Sequence, residues 1–230
     1  MKILALETST MMGSVAIMDQ EGLIAEYRLN IKSTHSERLM RTIDEVLRGS
    51  GLELKDLDGY AVSIGPGSFT GLRIGISTVK GLAFVTGKPV AAIPTLDALA
   101  CNISFSQYQI CPMLDARKKE VYTALYSNSG DVNISKLMND CVVRPEIFLK
   151  EIKEPTVFLG EGARMYKELI SEGLGHHAHF APLSKQLPSA ANVAELGLEA
   201  LRSGKTENPE TLVPRYIRKS EAEIKYSLES

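Results

Sequence analysis

The segment "GLRIGISTVKGLAFVT", Gly71 to Thr86, carries two charges, Arg73 and Lys80, in a run otherwise made of apolar or small residues. Its spacing predicts a helix that is apolar or small on nearly every side. Such a helix has to be covered on more than one side. Gly71 and Gly75 stand four apart and share a helical face, and Thr78 and Gly81 continue a small-residue track on neighbouring rows. Each interior glycine costs roughly 1 kcal/mol of helix stability against alanine. A backbone packed close against another element usually offsets that cost. The helix therefore predicts a sheet on one side, and a second helix or another protein on the other.

The stretch ahead of it, "SIGPGSFTG" from Ser63, reads as strand, Gly-Pro-Gly turn and helix start. It looks like a phosphate loop but fits neither familiar motif. GxxxxGK[ST] fails because Thr70 stands where the second glycine belongs and no lysine follows Gly71. GxGxxG fails because the third glycine comes one place late, at Gly71. What remains is a helix start with free N–H groups and small residues, where an anion could sit. The plainer reading is a tight strand-to-helix turn.

The rest of the chain builds around this unit. "KILALETS" reads as a buried strand, and "GSVAIMDQEGLIAEYRLN" as two more joined at Asp19–Gly22, a hairpin sequence. Thr34 and Glu37 form a T-x-x-E capping box at the head of a helix to Arg48. Its apolar positions are Leu39, Met40, Ile43, Val46 and Leu47. A strand at "DGYAVSIG", the Gly71–Thr86 helix, a strand at "KPVAAIP" and a short helix at "TLDALACNI" complete a βββαβαβα order by about residue 105. From "QICPMLD" the same order begins again in weaker form, through "PEIFLKEI", "PTVFLG", "GARMYKELISEG", "HAHFAP" and "SAANVAELGLEALRSG". An internal duplication follows, with one lobe at 1–105 and a smaller one at 106–230, the final segment being able to return to the first. The fold class is α/β, each lobe a mixed sheet with packed helices.

Composition narrows the function classes. The 230 residues carry a net charge of −2, so no global basic field draws the chain to nucleic acid or membrane. The absence of an apolar run of about twenty residues argues against a membrane span, and "MKILALETST" reads as a strand, not a signal peptide. Cys101, Cys111 and Cys141 have no CxxC spacing, which predicts a reduced, cytoplasmic chain without a cysteine zinc site.

Five segments occur in the order seen in one family. They are "ILALETSTMMGSVAI", "SIGPGSFTGLRIGISTVKGLA", "MLDARKKEVYTALY", "LGEGARMY" and "VPRYIRKSEA". The chain resembles the TsaB (YeaZ) proteins over essentially its whole length, and the Gly-Pro-Gly-Ser-Phe-Thr-Gly-Leu-Arg segment is highly specific to them. The resemblance implies an actin/Hsp70/sugar-kinase-like (ASKHA) fold of two ribonuclease-H-like lobes, the second degenerate. It implies a non-catalytic subunit for formation of N6-threonylcarbamoyladenosine (t6A) next to the anticodon of tRNA. The implied partners are the transferase TsaD and the ATPase TsaE with ATP. A homodimer is expected when the chain is alone, with tRNA met only through the complex. In that family the shared surface is built largely from the first lobe's two helices, here Thr34–Arg48 and Gly71–Thr86. TsaD carries H-x-x-x-H on the next helix, a pair able to hold one metal. In this chain's register those places are Thr95 and Leu99, which cannot do so. A pseudo-enzyme is implied, with no catalytic residue, no metal and no cofactor bound by this chain alone, ATP or ADP being reserved for the complex.

Helical periodicity then nominates contact residues: Leu39, Ile43, Leu72, Gly75, Ile76 and Val79, with Glu37 and Arg73 at a polar rim. Glu7, Thr8, Gly65, Gly67 and Ser68 are the candidate nucleotide contacts. The rival readings are a small-molecule kinase working at Glu7 and the Gly65–Gly71 loop, and a standalone structural homodimer. The remaining groups read as structural. His177 and His179 would share one side of a strand, His35 lacks a second histidine, and no GxSxG elbow surrounds Ser63, Ser68 or Ser77. Asp115, Arg117 and Glu120 read as an Arg–carboxylate lock. Arg215, Tyr216, Arg218 and Lys219 belong to a docking segment, its cations offering minor RNA or partner contacts.

Overall fold

The computed structural model describes residues 1–29, 35–128 and 134–218, with the side chains of 35–37 outside that description. The chain divides into two units. The first is Met1–Asn102 with Leu187–Pro214, and the second takes Ile103–Gln186 and the segment from Arg215.

In the first unit β1 (Ile3–Glu7), β2 (Gly13–Asp19) and β3 (Gly22–Leu29) form an antiparallel meander. Gly22, at φ 137°, closes the second hairpin where a side chain would be strained. α1 (His35–Ser50) follows, then β4 (Gly59–Gly65), α2 (Phe69–Thr86), β5 (Val90–Pro94) and α3 (Thr95–Ala100). β4 lies parallel to β1, and β5 parallel to β4, giving the order β3-β2-β1-β4-β5.

Alternation along β1 explains the layering. Leu4 and Leu6 face one side, where they join Ile43, Val46, Ile76 and Val79 of α1 and α2. Ile3 and Ala5 face the other, where they meet Val193, Ala194 and Leu198 of α7 (Ala190–Arg202). Both faces of the central strands are thereby buried, which is why they read as continuous apolar runs.

The second unit repeats the plan. β6 (Gln109–Asp115), β7 (Val121–Asn128) and β8 (Ile134–Val143) are antiparallel, while β9 (Thr156–Leu159) and β10 (Ala178–Phe180) are parallel. The order β10-β9-β6-β7-β8 is the first sheet's order read from the other end. Its helices are shorter: α4 (Pro145–Phe148), α5 (Glu161–Met165) and α6 (Lys167–Leu174) pack Phe148, Ala163 and Ile170 on Cys111, Met113 and Phe158. The helix expected over "GARMYKELISEG" is thus split in two at Tyr166.

The lobe expected at 106–230 is interrupted. α7 leaves it and seals the far face of the first sheet. The reason is steric. Ala5, Ala61 and Ala91 make that face shallow, and Gly197 of α7 rides directly against Ala61, with Ile3 Cδ1 at 3.1 Å from where a Cβ would lie. The next stretch stays with the first unit too. Glu207 bridges the edge strand β5 at Val90, and Leu212 enters the α1/α2 core. From Arg215 the chain belongs to the second unit.

Gly197→Ala should lower the unfolding free energy by about 1–3 kcal/mol, because the new methyl overpacks a backbone-fixed neighbour. That loss exceeds the roughly 1 kcal/mol helix-propensity gain. Denaturant titration that finds the variant more stable contradicts the close α7–β4 contact.

Candidate functional site

The glycines of α2 are used inside the unit. A side chain on Gly71 would strike the Thr8 carbonyl oxygen, and one on Gly75 the Thr8 hydroxyl. The Thr8 hydroxyl donates to the Gly71 carbonyl at 2.8 Å. The turn after β1 is therefore seated in a notch cut by Gly71 and Gly75.

The same turn also meets the start of α2. Ser68 N–H donates to the Ser9 carbonyl at 2.7 Å. A side chain on Gly67 would meet the same oxygen. Ser68 is the α2 N-cap, its hydroxyl accepting from Gly71 N–H at 3.2 Å. Part of the donor set of this helix start is met by the protein's own hydroxyl and carbonyl groups. Gly65 is buried at the end of β4.

Glu7 is fully buried at the end of β1. Its carboxylate accepts from Ser9 N–H at 2.6 Å, from the Ser9 hydroxyl at 2.5 Å and from the Ser63 hydroxyl. Burial pushes this carboxyl above the ordinary carboxylate range, and the three hydrogen bonds pull it back only in part. Of the five nucleotide candidates, Glu7, Thr8 and Ser68 are thus tied into a local hydrogen-bonded plug. Ser63, weighed as a nucleophile, is a buried donor to Glu7.

The contact residues chosen by periodicity need correction. Leu39, Ile43, Leu72, Ile76 and Val79 are all buried side chains of the first unit, and Gly75 is closed by Thr8. They have no surface to give. Periodicity identifies the face of a helix that is apolar, and in both helices that face lies on the protein's own sheet. Arg73 is exposed. Thr34 lies outside the described residues, as does the Glu37 side chain, and with them the capping box.

The outer face of α2 carries Arg73, Ser77 and Gly81, then Phe84 and Val85, which are 85% and 80% exposed. Spacings of four and three put Ser77, Gly81 and Phe84 in one row. Beyond its chain neighbours and its own helix backbone, no described atom lies within 4 Å of where a Gly81 side chain would start, so no close packing within this unit explains that glycine. On α1, which packs beside α2, Met40 is also exposed. The returning segment covers α2 near Lys80 and leaves this outer face open. Lys80 Nζ donates to the carbonyls of Glu210 at 2.9 Å and Leu212 at 3.3 Å.

Thr95 and Leu99 of α3 are fully buried, and the Thr95 hydroxyl has no hydrogen-bond partner among the described residues. Among those residues there is no group of three His, Cys, Asp or Glu side chains placed for a metal. In the second unit the His179 ring stacks on Tyr108 with centroids 4.3 Å apart, and His176 lies edge-on to His177. Arg117 pairs with Asp115 at 3.2 Å, the lock expected there. Arg215 reaches Asp140 at 3.4 Å and Arg218 reaches Glu120 at 3.0 Å. No described helix is long and apolar enough to cross a membrane.

Two copies of one mixed sheet, each with packed helices, give an actin/Hsp70/sugar-kinase-like fold. The ethanolamine utilization protein EutJ of Carboxydothermus hydrogenoformans matches at the level of fold. Its TM-score is 0.52 at 13% identity, covering 84% of this chain and 90% of that one. The family model for TsaD, the tRNA N6-adenosine threonylcarbamoyltransferase, matches residues 23–226. YeaZ from Pseudomonas aeruginosa superposes with a TM-score of 0.78 at 29% identity, over 94% of this chain and 99% of its own. The tRNA threonylcarbamoyladenosine biosynthesis protein TsaB of Bacillus subtilis (strain 168) is 33% identical over 98% of each chain. The chain belongs to the TsaB family of tRNA threonylcarbamoyladenosine biosynthesis proteins.

Two outcomes test this geometry. Gly75→Ala should lower stability by about 1–3 kcal/mol, since the Thr8 turn has to move, and thermal unfolding reads it. Glu7 favours its protonated form in the fold, so its contribution is greatest below the unfolded value of 4.5 and fades as pH rises through the higher folded value. The stability difference between the natural chain and Glu7→Gln should therefore shift toward the natural chain on acidification. A pH-independent difference contradicts the desolvated carboxyl.

Proposed function

We propose that this chain is an accessory subunit without chemistry of its own, which binds a TsaD-type transferase and holds it in its competent state for t6A formation on tRNA. The mechanism is population shift: a surface that fits one conformation of the partner better than others favours that conformation. A TsaE-type ATPase joins the pair with ATP, and ATP or ADP enters with the complex. The setting is the cytoplasm, in keeping with three cysteines that are all free.

The observation that carries this reading is the outer face of α2. A monomer has no use for a mid-helix glycine touching nothing, beside two large apolar side chains left in water. A second protein packing its backbone close to Gly81 gives both features a reason. Phe84 and Val85 supply the apolar anchor, and Arg73 and Ser77 supply the polar border. The non-catalytic part of the reading is supported by the Glu7 carboxylate and the Ser68 N–H being hydrogen-bonded to groups of the chain itself.

The same face would serve a pair of identical chains, so the test separates the two. Gly81→Ala should stabilise the isolated chain by about 0.5–1 kcal/mol, and Phe84→Asp should leave its melting temperature nearly unchanged. Both should weaken co-purification with a TsaD-type partner, and Phe84→Asp should abolish the chain's stimulation of tRNA modification in a reconstituted reaction. If only self-association is lost while stimulation persists, this face belongs to a homodimer. Phosphoryl transfer by the isolated chain would instead restore the kinase reading.

A further inference from the structure

β6 and β7 are joined by Ala116–Glu120, "ARKKE". Arg117, Lys118 and Lys119 stand in succession at φ 63°, 53° and 61°. That is three consecutive left-handed residues, none of them Gly, Asn or Asp. Left-handed backbone disfavours ordinary L side chains, and hairpin turns that need it use Gly, Asn or Asp. A turn shaped for strand connection alone has no reason to place its three cations there. All three side chains are exposed.

The turn is held by a dense set of ties. Arg117 N–H donates to Asp115 Oδ1 at 2.8 Å. Glu120 N–H donates to the Arg117 carbonyl and Ala116 N–H to the Glu120 carbonyl, each at 3.0 Å. From about a hundred residues away, Arg218 donates to the Ala116 carbonyl at 2.9 Å and pairs with Glu120 at 3.0 Å. The acids at the root of the turn, Asp115 and Glu120, are therefore engaged by Arg117 and Arg218, and Glu161 lies beside Asp115. The tip presents cations in a fixed, costly conformation. Backbone strain that a structure over-determines in this way marks a working surface.

We propose that Lys118 and Lys119, at the tip of this turn, are contacts for the phosphate backbone of RNA. The chain's net charge of −2 leaves no general attraction to polyanions, so any phosphate contact has to be local. Adjacent exposed cations on a rigid turn suit phosphates, which are read by charge without base specificity. The choice of RNA over another anion rests on the function proposed above.

The test uses the full-length chain, alone and paired with its TsaD-type partner, and an unmodified tRNA transcript as probe. The variant is Lys118→Asn with Lys119→Asn, which tolerates left-handed backbone while removing both charges. Affinity is measured across a salt series. The slope of log affinity against log salt should become shallower by roughly 1.4–1.8, the value for two lost phosphate contacts at about 0.7–0.9 each. Gel filtration of the pair is read in parallel and should not change, so a failure of pairing and a failure of RNA contact are distinguished. An unchanged slope in both the single chain and the pair overturns the proposal and leaves the tip a solvated turn.

Discussion

The seat of the Thr8 turn in the Gly71/Gly75 notch is the contact on which the first unit depends. It brings the end of β1 against the start of α2 at a spacing that no side chain would allow. Because Gly71 meets the Thr8 carbonyl and Gly75 the Thr8 hydroxyl, the contact fixes the height of α2 over the sheet. Leu72, Ile76 and Val79 then fall into the core and Arg73, Ser77 and Gly81 fall outside it. The outer face of α2 is thus a consequence of how its inner face is held.

The same contact bears on chemistry. Here a carbonyl from Ser9 accepts the Ser68 N–H, and the buried carboxylate of Glu7 spends its acceptor capacity on serine groups. The hydrogen bonds of Glu7, Ser9 and Ser68 are thus made within the unit, and the proposed reading assigns the partner-binding role to the outer face of α2.

Duplication with unequal copies explains the rest of the layout. Both sheets share one strand order, but the helices of the second are short and broken. The long helix near the C-terminus serves the first sheet, whose alanine-lined face accepts Gly197. Lys80 then pins the segment beyond it across α2. The chain ends its described course back in the second unit, where Arg215 and Arg218 meet buried or loop-bound acids.

Much of this was legible in the residues themselves. The order of strands and helices, the hairpin at Gly22, the strand-turn-helix around Gly65–Gly71 and the repeat of the plan after residue 105 follow from local periodicity and turn chemistry, which act over a few neighbours. The family segments added the class of fold. Three features could not be read that way, because each is decided by residues far apart in sequence. Gly71, Gly75 and Gly81 are three glycines of one helix, and only the fold shows that the first two face Thr8 and the third faces open space. Ile76 and Phe84 are equally apolar, yet the sheet claims the first and leaves the second exposed. α7 carries an ordinary amphipathic pattern, and only the shallow alanine surface of a sheet built some 130 residues earlier determines which core it completes. Sequence alone set which faces must be buried; the tertiary packing chose what buries them, since close approach depends on shapes supplied from elsewhere in the chain.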